Sequence, residues 1–257
     1  MTDHIKEYWT SQGEKHGASH WASWGDNWAI SLEIETIAQQ ISDGDTVLDI
    51  GCANGYSTLQ QARKHKVTKI IGVDFAEPMI RAATQEKMKL AEHEHIEFHV
   101  GDIRSLPFDD KMFDVVYTTR VLINLPTWEE QQRGILECLR LVKPGGRVVL
   151  SEGFWEPLML LNSLRALVHL PSLFEHDFNR YLKFEKMRSF LNSLEVTYEV
   201  IDFSSVYYLG SRFVRELVTD VNAYEGFSNP INKIFYEIEK NYSGGGMGVQ
   251  QAVVIHI

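Results

Sequence analysis

The chain has 257 residues, 44% of them hydrophobic and 23% charged, with a formal net charge of −10. That length can bury one full-sized core, as a single domain or as a domain with an appended cover. The acidic balance disfavours a nonspecific grip on nucleic acid or on an anionic membrane surface.

Two cysteines, Cys52 and Cys138, form no Cys-x-x-Cys pair and suggest no disulfide framework. The N-terminal stretch MTDHIKEYWT has no apolar signal core. A reducing, cytoplasmic setting is therefore expected. The longest apolar stretch, 154–174, is broken by Glu156, Pro157, Asn162, Arg165, His169 and Pro171, which argues against a membrane span.

Residues 1–45 precede the first strand-like run and carry Trp9, Trp21, Trp24 and Trp28, four of the six tryptophans. Aromatic residues at this density are unlike a disordered tail. The segment is expected to pack onto the body of the domain, to cover a site, or both. Deleting 1–28 is expected to spare the fold but impair turnover. Residues 30–41 have the spacing of an amphipathic helix, and 42–45 (SDGD) read as a turn.

From residue 46 strands and helices alternate. The run 46–50 ends in the glycine-bearing turn of TVLDIGCANG, and a helix is expected over 56–65. A second strand, 69–74, ends at Asp74, 19 positions beyond Gly55. At that spacing a carboxylate reaches a ribose diol bound over the loop. A helix follows over 77–91, with Pro78 in its first turn. Strands are then predicted at 95–100, 113–118 and 147–152, with a helix at 127–141. The pattern implies a mostly parallel sheet covered on both faces, with ligands outside the carboxyl ends of its strands. Asp49, Asp74, Asp102, Arg120 and Glu152 are expected to converge on that rim. Residues 154–195 read as helices, 195–203 as a sixth strand and 248–257 as a seventh. Between the last two, 204–247 has helical spacing and then the loop SGGG.

These motifs resemble the class I S-adenosylmethionine (SAM) dependent methyltransferases. DIGCANG is similar to their first motif, and GVDFAEPMI, GDIRSLPF, FDVVYTTRVLINL and LVKPGGRVVLSEG to the segments that follow it in order. The resemblance covers 45–153. It implies an α/β, Rossmann-like, doubly wound, seven-stranded sheet, mostly parallel, with strand seven antiparallel. One domain over 1–257 is expected. It comprises a helical N-terminal lid (1–45), a cofactor-binding core (46–153), substrate-side helices with strand six (154–247) and the last strand (248–257). The helical insertion between strands six and seven departs from the family hairpin.

What the resemblance implies about the cofactor can be placed on particular residues. Asp74 would accept from the ribose diol. Gly51, Cys52, Ala53 and Gly55 would bring backbone close to the methionine and ribose portions. Asp49 would engage the methionine ammonium directly or through water. Asp102 matches the family's adenine-contacting acid, with Ile103 offering its backbone amide and Phe75 and Met79 apolar walls. For Phe75 and Met79 ordinary core packing explains the residue equally well. Arg120 stands where the family turns a backbone carbonyl toward the ammonium. The Gly51-x3-Gly55 spacing lacks the close glycines that a dinucleotide pyrophosphate prefers, which separates this reading from an NAD(P)-linked oxidoreductase.

Methyl transfer chiefly requires alignment of nucleophile, methyl and sulfur with water excluded. A hydroxyl acceptor would be helped by a base, for which His16, His20, His169 and His176 are candidates. Tyr8, Trp9, Asn124, Arg165 and Tyr181 are candidates to line the acceptor site. For each of these a structural role is the stronger expectation. His93, His95 and His99 lie near the start of strand three without a completing cysteine, so no metal site is expected. The expected reaction is methyl transfer to a small molecule, with oxygen favoured over nitrogen or carbon. The alternatives are a methyltransferase acting on RNA or protein, and a SAM-binding partner protein without turnover.

Overall fold

The computed structural model describes residues 3–17, 24–220 and 223–257. Its elements are α1 (Asp3–His16), α2 (Asn27–Ala38), β1 (Thr46–Ile50), α3 (Tyr56–Lys64), β2 (Lys69–Asp74), α4 (Glu77–Lys87), β3 (Ile96–Val100) and β4 (Phe113–Thr119). There follow α5 (Trp128–Leu141), β5 (Val142–Gly153), α6 (Trp155–Leu167), α7 (Phe184–Ser193) and β6 (Thr197–Ile201). A helical insertion comes next: α8 (Ser205–Leu209), a π-helical segment (Gly210–Val214), α9 (Arg215–Val218) and α10 (Pro230–Glu239). Strand β7 (Gln250–His256) closes the sheet.

The seven strands lie in the order β3-β2-β1-β4-β5-β7-β6. The pairs from β3 through β5 are parallel, and β7 runs antiparallel to both β5 and β6. The Rossmann-like, mostly parallel sheet with an antiparallel seventh strand is therefore present. Successive strand residues point to opposite faces. Accordingly Leu48, Ile71, Val116 and Val148 join one core cluster, while their neighbours Val47, Ile70, Val115 and Val149 join the other. Burial on both faces is why these strands are continuous apolar runs rather than alternating ones.

Strand β5 begins earlier than the sequence suggests. Its pairing with β4 jumps from Phe113↔Val142 to Val115↔Arg147, so the Lys143-Pro144-Gly145-Gly146 turn is a bulge within one strand.

The N-terminal residues pack onto the body of the domain. A Cβ at Gly13 in α1 would lie 3.2 Å from Pro78 and Met79 of α4. Asp26, fully buried, caps α2 through Ala29 N and accepts from Tyr207 Oη at 2.6 Å and from the Arg212 guanidinium. The insertion packs on the same helix, with the Trp28 and Tyr236 ring centroids 4.9 Å apart. Deleting 1–28 would strip Asp26 from the buried Arg212, so the expectation that this deletion spares the fold is revised. Among the described residues no helix is long and apolar enough to cross a membrane.

Candidate functional site

The turn after β1 is pinned before any ligand is considered. Gly51 N and Cys52 N both donate to the Val73 carbonyl, at 2.7 and 3.0 Å. Gly51 has φ +77, and a Cβ there would lie 2.0 Å from Val121 Cγ2. Gly55 also needs glycine (φ +76), but its missing Cβ would strike Phe98 at 2.7 Å and Ala83 at 2.9 Å. Its role is therefore to start α3 against the core, and it is not part of the cavity wall. Ala53 takes φ +47 without being glycine, held there as its N–H donates to Asp74 Oδ2 at 3.0 Å.

A cavity of about 400 Å³ opens over this turn. Gly51, Cys52, Ala53, Asp74 and Phe75 line one end. Asp74, at the end of β2, also accepts from Ala76 N at 2.8 Å, and burial lifts its carboxyl to about 6. Asp49 sits within β1, fully buried, and accepts from Thr58 Oγ1 at 2.6 Å and Tyr117 Oη at 2.8 Å. Its Oδ1 has no partner among the described residues, and burial pushes the carboxyl up to about 7. A buried oxygen without a donor is a place where a cationic or hydrogen-bonding ligand group fits. The Cys52 thiol is buried and pushed well above its ordinary value, so it is no reactive thiolate.

Other sequence candidates are placed differently. Met79 is 1% exposed, packed beneath Phe75, Trp9 and Ala53, and does not line the cavity. Ile103 is 3% exposed in the main core. The Asp102 carboxylate is taken by Arg104, whose Nε lies 2.9 Å from Oδ1. Burial works against ionisation of Asp102, yet the Arg104 hydrogen bonds and charge hold its carboxyl below the usual range. Glu152 does not reach the rim as an open acid. Fully buried, it accepts from Val121 N, Leu122 N and Ile123 N and caps the short 3₁₀ turn Leu122–Asn124. Of the five expected rim groups, Asp74 and Arg120 line the cavity.

Arg120 follows β4 with φ +55. Its carbonyl accepts from Asn124 Nδ2 at 2.6 Å, and its guanidinium lies 4.8 Å from the Trp24 ring. Arg120 Nη1 lies 2.6 Å from Oε2 of the fully buried Glu33 on α2. Glu33 also accepts from Ser151 Oγ at 2.7 Å and from the Gln250 amide. Burial still lifts its carboxyl above the ordinary value, against the Arg120 charge and these hydrogen bonds.

The rest of the cavity wall is largely aromatic. Tyr8, Trp9, Trp24, His176, Phe178, Tyr181 and Tyr208 line it, with Asn124 and Gln250. The His176 ring lies 4.1 Å from Phe178 and 5.7 Å from Tyr8, centroid to centroid. His169 is exposed at φ +60 after α6 and does not line the cavity. Arg165 is not there either: Pro171 O, Arg212 O and Glu216 take its guanidinium. The His16 side chain and all of His20 lie outside the described residues. His93 Nδ1 contacts Leu90 O and His99 Nε2 contacts Glu97, and no metal-type cluster exists among the described residues.

Tyr208, Phe178, Gln250 and Glu33 were not predicted for the site. Only Glu33 had a legible signal, as one of two acids, with Glu35, in the apolar run NWAISLEIETIA.

Residues 47–146 match the family model described as "Methyltransferase domain". Residues 47–146 thus form a methyltransferase domain, and the sheet order is that of the class I SAM-dependent type. A 27-O-demethylrifamycin SV methyltransferase of Amycolatopsis mediterranei is 30% identical over 42% of this chain and 39% of its own length. A demethylmenaquinone methyltransferase of Clavibacter sepedonicus is 33% identical over 46% of this chain and 45% of its own length. The chain thus spans less than half the length of these curated relatives. In fold, it is similar to geranyl diphosphate C-methyltransferase from Streptomyces coelicolor A3(2), crystallised with Mg2+, geranyl diphosphate and S-adenosyl-L-homocysteine. The TM-score is 0.60 at 18% identity, over 88% of this chain and 78% of that one.

Proposed function

We propose that this chain binds SAM over the 51–55 turn and transfers its methyl group to a small-molecule acceptor in the aromatic half of the same cavity, with oxygen favoured as the accepting atom. The observation that carries this reading is the continuity of one cavity from Asp74 and the Gly51 turn to the aromatic wall of Trp24, Tyr181 and Tyr208. SAM supplies a methyl already activated by the positive sulfur. The protein supplies the rest by binding, orientation and water exclusion.

Asp49 does not line the cavity, so its partnerless Oδ1 acts on the methionine ammonium from behind the Gly51 turn, through a water or through its charge. Asp74 retains lone pairs toward the cavity for a ribose diol. Phe75 offers an apolar face beside it. The aromatic wall suits an acceptor with a flat or apolar body. The acidic chain, and relatives whose names give small-molecule acceptors, favour such an acceptor over RNA or protein.

Calorimetry with S-adenosylhomocysteine (SAH) tests the cofactor half. One saturable site per chain is expected, weakened in Asp74→Ala, with ATP and NAD not competing. Absence of SAH binding by the folded chain would overturn the reading.

A further inference from the structure

Buried phenols in this chain are satisfied in a regular way outside the cavity. Tyr117 Oη donates to Asp49 at 2.8 Å, Tyr207 Oη to Asp26 at 2.6 Å and Tyr236 Oη to Glu35 at 3.4 Å. Tyr181 and Tyr208 break that pattern. Both line the cavity, Tyr208 is only 8% exposed, and neither hydroxyl bonds to another described residue. Neither oxygen is sealed in protein: Tyr181 is half-buried, and both hydroxyls open onto the cavity without a partner among the described residues, so the two donors in one wall point to a ligand acceptor.

Their surroundings set the charge of that ligand. Arg120 is in the same wall, while its partner Glu33 is buried behind it and does not line the cavity. Arg212 lies under the Tyr208 ring, 4.6 Å from its centroid, paired with the fully buried Asp26. Both arginine charges act on both phenols. The opposing charges are Asp26, which acts on Tyr208 but is paired with Arg212, Glu175, whose carboxylate accepts from Tyr181 N at 2.8 Å, and Asp74, the one of the three that lines the cavity. Burial raises both phenols above their ordinary value, so each stays protonated as a donor near neutral pH. His176 is set among Tyr8 and Phe178.

We propose that the acceptor is bound as an oxyanion, the conjugate base of a phenol or enol, with the Tyr181 and Tyr208 hydroxyls as its hydrogen-bond donors and Arg120 supplying the positive field. The inference rests on the methyltransferase reading and names its acceptor class. The acceptor's proton is lost to solvent on binding. In the transfer step an oxyanion lone pair forms the new bond to the methyl carbon. The carbon–sulfur bond breaks, and its electron pair stays on sulfur, which becomes a neutral thioether. No proton moves in that step, so no protein base is required there. Donors aimed at a developing or standing oxyanion in a dry site are the strongest electrostatic aid a protein of this kind can offer.

The probe is 4-nitrophenol, whose phenolate absorbs visibly and whose phenol does not. It is titrated into the SAH-saturated protein across a pH series. The expected result is saturable binding with the phenolate favoured about tenfold or more over the phenol, a fall of about one unit in its apparent pKa. Tyr181→Phe and Tyr208→Phe each remove one oxygen and are expected to lose threefold or more of that preference while SAH affinity is retained. Binding of the neutral phenol, no saturable binding at millimolar probe, or an unchanged preference in both variants would overturn the proposal. Normal SAH binding with any of those results overturns this inference alone. Failure of SAH to bind removes the underlying reading and this inference with it.

Discussion

The Ala53 N–H donates to Asp74 Oδ2 across 3.0 Å, tying the turn after β1 to the end of β2. The sequence places these residues 21 positions apart, and the parallel pairing of Ile50 with Val73 brings them together. The same carboxylate thus shapes the cofactor turn and faces the cavity.

Asp74→Ala is expected to weaken SAH binding by about 1–3 kcal/mol, the loss of charge-assisted hydrogen bonds. Calorimetry at constant pH reads the change, and Asp74→Asn should recover part of it because one acceptor oxygen remains. An unchanged dissociation constant in Asp74→Ala would remove this residue from the site.

The two buried carboxyls make binding depend on pH. Burial raises Asp49 to about 7 and Asp74 to about 6, so the ligand-free folded chain holds protons that the unfolded chain has released. On their account stability is fully present below the ordinary carboxylate range and is lost as pH rises through about 6 to 7. An ammonium at Asp49 requires the charged form. SAH affinity should therefore rise between about pH 5.5 and pH 8, with proton release on binding near neutrality. Calorimetry in buffers of different ionisation enthalpy measures those protons, and proton uptake on binding would contradict the placement of Asp49.

Gly51→Ala puts a methyl on a backbone at φ +77 and 2.0 Å from Val121 Cγ2. The turn must move, so cofactor affinity is expected to fall tenfold or more, with a stability loss of about 1–3 kcal/mol. Gly55→Ala should cost stability comparably through Phe98 and Ala83, but its cofactor effect should follow only from the displaced turn. Equal affinity losses in the two variants, measured on folded protein, would contradict the distinction.

Glu33→Ala removes the partner of Arg120 and the acceptor of Ser151 and Gln250. A loss on the order of 3 kcal/mol is expected in denaturant unfolding, moderated because the Arg120 side chain stays 20% exposed. Glu33→Gln keeps acceptor and donor capacity and should lose less. A truncation at residue 17 leaves Asp26 and this network intact and is expected to keep the fold while lowering turnover through the loss of Tyr8 and Trp9. Full turnover after that truncation would show that α1 does not serve the site.

The turn and strand end that the proposal assigns to the cofactor were legible because what shapes them is local. The Gly51 turn, the Asp74 strand end and the alternation of strands with helices are each set within a few residues and repeat in order. The acceptor half was not. Tyr208 and Gln250 come from the insertion and the last strand, brought beside Tyr181 by the β5-β7-β6 order. Nothing in a window around YYLGSRF distinguishes Tyr208, which faces the cavity, from Tyr207, which bonds Asp26. Arg165 and His169 were plausible by residue type, but the ends of α6 direct one into a structural ion pair and the other to solvent. Asp102 shows the converse limit, since a motif position gives no warning that Arg104, two residues on, occupies the carboxylate.

Methyl transfer to a small acceptor is open to direct test. The most direct measurement incubates the protein and methyl-labelled SAM with a cell extract separated into small-molecule, protein and RNA fractions. Protein-dependent label is expected in the small-molecule fraction, abolished by excess SAH and reduced in Asp74→Ala, with mass spectrometry placing the label on an acidic hydroxyl oxygen or its conjugated carbon. Label confined to the protein or RNA fraction, or no transfer by a chain that binds SAM, would contradict it.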